Sequence, residues 1–168
     1  MSILLSPKRL RSMGVSAWIR EGWQHLSGIP GGRRIFSRLL GLAIPYTGSI
    51  GAEVIALEPG YARVALEDRR AVRNHLSSIH AIALTNLGEL TGNLALVSAL
   101  PDDGRFIVTK LAIEYKKKAR GRIVAECRCE PPTSTERREY ELLVSLRDST
   151  DAVVASVVLT TLVGSTPR

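Results

Sequence analysis

A single carboxylate stands in the longest apolar stretch of the chain. Across residues 79–100 the only charged side chain is Glu89, and it shares a narrow polar stripe with Thr85, Asn86 and Asn93. These lie four and three residues before it and four after, so on a helix all four project from one side. A carboxylate isolated in this way lies either on the solvent side of a core helix or in a partly dry cleft. A solvated face would more usually carry several Lys and Glu residues. Enclosure strengthens a carboxylate as a base, which is what a general base or nucleophile needs. Ser77 and Ser78, just upstream, have no paired base in a nucleophile-elbow context and read as loop and helix-capping residues.

The element that must hold Glu89 is a helix of about five to six turns over residues 79–100. Ile79, Ala83, Leu87, Leu90, Leu94 and Val97 recur at three- and four-residue steps, and Ala81, Leu84, Ala95 and Leu100 make the opposite side nearly as apolar. A helix that is apolar all round has to be enclosed by other structure. The period changes to two on both sides of it. Ala52, Val54 and Ala56 alternate with Glu53, Ile55 and Leu57; Pro59-Gly60 makes a turn; and Ala62, Val64 and Leu66 point inward on the returning strand. Beyond the stop at 101–104, four strand-like runs cover about 105–117, 121–130, 138–147 and 152–163. The last is β-branched and apolar on both sides, as a central strand would be. One long helix among six strands buries itself best if an antiparallel sheet curls round it, so the expected class is α+β.

At 168 residues and 45% apolar content, the chain suits one globular domain with a sizeable core. The basicity is uneven. Residues 1–43 carry Lys8, Arg9, Arg11, Arg20, Arg33, Arg34 and Arg38 against Glu21 alone, which accounts for six of the seven surplus positive charges. Residues 1–47 are therefore read as a basic helical arm and 48–168 as the main domain. Two short amphipathic helices are expected in the arm, over about 15–26 and 33–43, separated by a glycine- and proline-rich break. Such helices can lie on anionic membrane surfaces, but more often dock on their own domain with the arginines outward. No recognition helix or aromatic-interleaved basic patch points to nucleic acid. No run approaches the length needed to span a bilayer, and MSILLS is too short for the apolar part of a secretory signal, so a cytoplasmic protein is expected. Cys127 and Cys129, two apart on one strand, point the same way and read as reduced thiols; no Cys/His spacing suggests a metal site.

The strand order and the helix residues together resemble the hotdog fold, in which a curved sheet wraps one long helix. More closely, the chain resembles acyl-CoA thioesterases of the phenylacetate-pathway type. Their signature is Asn, then His-Gly-Gly six residues on, then Asp or Glu nine after the His. Here Asn74, His80-Ala81-Ile82 and Glu89 fall at those steps, and Tyr115-Lys116-Lys117-Lys118-Ala119-Arg120-Gly121 looks like the family's Tyr-x-x-x-Ala-x-Gly strand junction. The resemblance runs from about residue 49 to the C-terminus. The arm with Pro45-Tyr46-Thr47-Gly48 resembles a hotdog branch catalogued as a domain of unknown function.

That resemblance implies a cytosolic homodimer, or dimer of dimers, that hydrolyses or binds an acyl-CoA-like thioester. It requires no cofactor beyond the coenzyme A of the substrate. Glu89 would be general base or nucleophile, Asn74 would orient the thioester or the attacking water, and the Ala81 N–H would donate to the oxyanion. His80 would position the helix start. The site would straddle the dimer interface, with Asn74 and Ala81 from one copy facing Glu89 of the other. Asn86, Ile82 and Thr109 would line the substrate, Thr109 from an inward position on the strand after the helix. Ala81 and Ile82 replace two glycines, and the added bulk of Ile82 would narrow the channel. Lys116, Lys118 and Arg120, in a cluster with Lys117 and Arg122, are placed either for the phosphates of coenzyme A or simply at a solvated strand end. Two other functions compete: a non-catalytic hotdog module that binds an acyl ligand or partner protein, and a lipid-handling protein that uses the basic arm at a membrane surface.

Overall fold

The computed structural model describes residues 14–165. Lys8, Arg9 and Arg11 of the basic arm lie outside them. In chain order the elements are α1 (Val15–Leu26), α2 (Gly32–Ala43), the single turn α3 (Pro45–Gly48), β1 (Glu53–Glu58), β2 (Tyr61–Leu66), a 3₁₀ turn (Arg70–Val72), α4 (Ala81–Ala99), β3 (Gly104–Tyr115), β4 (Ile123–Arg128), β5 (Arg138–Arg147) and β6 (Val153–Ser165). The strands form one antiparallel sheet in the order β1-β2-β4-β5-β6-β3. Helix α4 packs against all six of them, which is the hotdog arrangement the sequence implied.

The apolar surface of α4 is enclosed as its composition demands. Leu87, Ala95 and Leu96 are fully buried, and each Leu so placed stabilises the fold by about 2 kcal/mol. Two glycines let the helix lie close to the sheet. A β-carbon at Gly88 would fall 2.6 Å from Val157 Cγ2, and one at Gly92 would fall 2.4 Å from Leu159 Cδ1. The helix is two residues later at its start, and one shorter at its end, than the apolar pattern suggests. The His80 ring nitrogen Nδ1 accepts the Ile82 N–H at 3.1 Å, so His80 is the N-cap and neither serine is.

Alternation fails in β1 for an identifiable reason. Val54 and Leu57 are buried where the pattern placed Val54 with Ala56, because a register shift between Val54 and Ala56 inserts a bulge. In β2 the expected Ala62, Val64 and Leu66 are buried. Strand β6 is interior, paired to β5 on one side and β3 on the other.

The arm helices dock on this domain. Trp18 and Ile19 of α1 and Phe36 and Leu40 of α2 join the common core, and Trp18 and Trp23 both meet the Phe36 ring. Arg20 of α1 donates to the Leu100 carbonyl at 2.8 Å and pairs with Asp102, placing a cation at the C-terminal end of α4 where the helix dipole favours it. Helix α2 covers the β1 edge of the sheet, and the Ser37 hydroxyl accepts the Val54 N–H at 2.9 Å. The β3 edge has no such cover among the described residues. No described helix is long and apolar enough to cross a membrane.

Candidate functional site

The polar stripe on α4 runs between α3 and the end of β3. Glu89 is half-buried there, and Asn86 is 4% exposed. Asn86 Nδ2 donates to the Tyr46 carbonyl of α3 at 3.2 Å, which fixes one wall. The side-chain oxygens of Asn86 and Asn93 are buried and have no hydrogen-bond partner among the described residues. Buried amide oxygens are rarely left unpaired, so these two, beside one carboxylate, are acceptors open to a water or a ligand. On the other side of the stripe, the Tyr115 hydroxyl lies 3.0 Å from Thr85 Oγ1 and donates to the Ala81 carbonyl at 3.1 Å. The end of β3 is thereby tied to the first turn of α4. Tyr115 stood in the strand-junction motif, yet nothing in the sequence marked its hydroxyl as a fastening for the helix start.

The loop before α4 is held by the segment between β3 and β4. Ile79 N–H donates to the Ala119 carbonyl at 2.9 Å, His80 N–H donates to the Val72 carbonyl at 2.8 Å, and Arg120 Nε donates to the Ser77 carbonyl at 3.3 Å. Asp68 accepts from Arg73 Nε at 2.6 Å and from the Gly121 N–H at 2.9 Å. Gly121 adopts φ +69°, which explains a glycine at that step of the motif. Asn74 closes the loop on itself: its Oδ1 accepts from Leu76 N–H at 2.9 Å, Ser78 N–H at 3.3 Å and Ser78 Oγ at 3.2 Å. Its carbonyl end is therefore committed to the loop, and its amide N–H₂ is the end left for a ligand.

The remaining expected residues fall in different places. Ala81 is half-buried at the first position of α4, and Ile82 is 52% exposed beside it. Eight residues of helix separate Ala81 from Glu89, a rise of about 12 Å, so one chain cannot bring this amide and this carboxylate onto one carbonyl. Thr109 is not inward. It is exposed, sits where the β3–β6 register shifts between Val108 and Lys110, and donates to the Thr160 carbonyl at 3.1 Å. The bulge turned it away from the helix, a local event that strict alternation does not foresee. The basic cluster is largely engaged within the chain. Lys116 pairs with Glu114 at 2.7 Å, Lys117 with Asp148 at 2.6 Å and Arg122 with Glu67 at 3.3 Å. Lys118 alone has no ion pair or hydrogen bond among the described residues.

Two of the carboxylates that pin this region carry a pH signature. Hydrogen bonding from Arg73, with a further bond from the Gly121 N–H, holds Asp68 below the ordinary value of 3.8 against the opposing effect of burial. Lys117 and then Thr150 hold Asp148 well below it. Both groups bind protons less readily folded than unfolded. Their contribution is thus complete above the unfolded value near 3.8 and is lost as pH falls through the lower folded values. In acid titrations of the urea midpoint, Asp148→Asn is expected to lose less stability than wild type as pH falls below about 4. Parallel curves would contradict this.

The cysteines are free. Burial, and then the neighbouring Cys129, pushes the Cys127 thiol up to about 12, and burial raises Cys129 as well. In native protein at pH 8 neither is expected to react with a maleimide at the rate of a free thiol, and both should do so in denaturant. Fast labelling of Cys127 in the native form would show that β4 opens.

Comparison with known proteins bears on the fold and the family. A crystal structure named genomics APC5556 superposes with a TM-score of 0.77 at 27% identity, over 89% of this chain and 99% of that one. A protein of unknown function from Pseudomonas aeruginosa, PA5026, described as a probable thioesterase, gives 0.71 at 24% identity over 82% and 97%. The thioesterase HI1161 from Haemophilus influenzae gives 0.62 at 15% identity over 71% and 82%. At these identities the last two likenesses establish the fold and nothing finer. No curated protein matches the chain. A family model described as "Domain of unknown function (DUF4442)" matches residues 32–163, from the start of α2 almost to the end of β6. The chain therefore belongs to that family, a hotdog branch in which α2 and α3 are part of the shared unit.

Proposed function

We propose that the protein is an acyl-thioester hydrolase whose site is completed by a second copy of the chain. One observation carries this reading: an otherwise enclosed helix presents Glu89 with two buried amide oxygens that have no partner among the described residues, on a polar stripe that Thr85 ties to the end of β3, the sheet edge left without a helix over it among the described residues. A second molecule paired along β3 would cover that edge and bring its own α4 N-terminus toward Glu89. Exposed Ile82 and Ile107 would be buried by the same pairing.

In this site the Glu89 carboxylate of one copy takes a proton from water as the water oxygen attacks the thioester carbonyl carbon. The Ala81 N–H of the other copy donates to the oxygen that becomes negative, and the Asn74 amide N–H₂ orients the water or the carbonyl. Collapse breaks the C–S bond and expels a thiolate. Because an ordinary thiol has a pKa of about 8.5, that group leaves without a strong acid to protonate it. The net change is thioester plus water to acid plus thiol. If Glu89 instead attacks the carbonyl directly, an anhydride forms and water then cleaves it. Lys118, with Arg120 and Lys116 nearby in sequence, is the first group available to coenzyme A phosphates.

The neighbours named as thioesterases support the reaction class, and the steps from Asn74 to His80 to Glu89, which resemble those of phenylacetate-type thioesterases, support the choice of residues. The test is thiol release from short, medium, long and aromatic acyl-CoAs, with wild type and Glu89→Gln compared. Turnover by wild type that is lost in the variant supports the enzyme. Saturable acyl-CoA binding without turnover would replace it with the non-catalytic module.

A further inference from the structure

A cavity of about 750 Å³ lies between α2, α3 and β1. Asn74, Ala81, Asn86 and Glu89 do not line it, and α4 reaches it only through Leu90. Its volume falls in the range of small-molecule sites, about 300–1,000 Å³. Leu40, Val54 and Leu90 supply side chains that are each at least nine-tenths buried, so the lining includes a firm apolar base.

The opposite character comes from α2, whose residues 34, 37, 38 and 41 line the cavity at three- and four-residue steps. Ser37 is already engaged, since its hydroxyl donates to the Arg33 carbonyl at 2.7 Å and accepts the Val54 N–H at 2.9 Å. Arg34 stands 3.7 Å from the Glu53 carboxylate on the β1 side. Arg38, one turn further along α2, is exposed and has no ion pair among the described residues. The cavity thus offers apolar walls and one uncommitted guanidinium, and a guanidinium matches a carboxylate with two parallel hydrogen bonds. Glu53 restricts the ligand to a single anionic head, because a second negative group would meet its carboxylate.

We propose that this cavity binds a free fatty acid, with its chain along Leu42 and Ala52 above the buried base of Leu40, Val54 and Leu90, and its carboxylate on Arg38. The arm would then be a ligand-binding element, and its basic face would have a use other than a membrane surface. This site stands independently of hydrolysis at Glu89.

The experiment is calorimetric titration of the full chain with dodecanoate, kept below its micellar concentration. Wild type and Glu89→Gln are expected to bind one dodecanoate per chain with equal affinity. Arg38→Gln, a change on an exposed helix face, should bind about tenfold more weakly, the loss of one charge-assisted hydrogen bond. Ala52→Trp, which fills the cavity from the β1 side, should abolish binding; if that variant does not fold, Arg38→Gln decides alone. Absence of saturable binding, as a second copy covering the cavity would produce, overturns the proposal, and so does equal affinity of wild type and Arg38→Gln.

Discussion

Glu89→Gln is expected to fold as wild type and to release thiol from its best acyl-CoA about 10³-fold more slowly, with KM little changed. The replacement keeps the shape of the side chain and removes its ability to accept a proton. The folding half of the expectation follows from the surroundings: Glu89 is half-buried and no ion pair or hydrogen bond within the described residues depends on its charge. The catalytic half follows from its isolation. No other acid lies on α4 to substitute as base. A variant retaining more than a tenth of the wild-type kcat would remove Glu89 from the chemistry, whatever the fate of the fold.

The second large effect is on stability. Gly88→Val is expected to destabilise the protein by about 2–3 kcal/mol, read as a lower urea midpoint. The new β-carbon would sit 2.6 Å from Val157 Cγ2 and 3.1 Å from Val157 Cβ. Val157 is 1% exposed and branched at the β-carbon, so it has little freedom to turn aside. The helix must therefore lift from β6, which would also move Glu89 and the Tyr115 contact with the first turn. Gly88→Ala brings the same clash, offset by about 1 kcal/mol of better helix propensity, and should fall between the two. An unchanged midpoint for Gly88→Val would mean that α4 does not lie on β6 as closely as described.

The fold was legible wherever the pattern reported burial on a regular element. The long apolar run of α4, the Pro59-Gly60 turn and the alternation in β2 each led to the observed element. The exceptions are local backbone events. Bulges in β1 and β3 cost the alternation its phase and moved Leu57 inward and Thr109 outward. The helix start was misplaced by two residues because a histidine, which is not a preferred N-cap type, accepts the Ile82 N–H. The candidate site is read from a spacing, Asn74 to His80 to Glu89, and from one charge on an apolar helix. The contacts that hold those residues were not legible, because Tyr115 reaches Ala81 and Asp68 reaches Gly121 across 34 and 53 residues of chain. In the basic cluster, part of a run of like charges in sequence became separate ion pairs once Glu114, Asp148 and Glu67 were brought beside Lys116, Lys117 and Arg122.

The central claim is that a functional site takes its carboxylate from one molecule and its amide donor and asparagine from another. Complementation between two inactive variants tests it directly. Glu89→Gln and Asn74→Ala, each purified, should separately show little thiol release. Unfolded together in equal amounts and refolded, they should recover about one quarter of wild-type activity, because half of the dimers are mixed and each mixed dimer has one intact site. Activity that stays at the level of the separate variants, while native mass spectrometry shows mixed dimers present, would contradict a site shared between two copies.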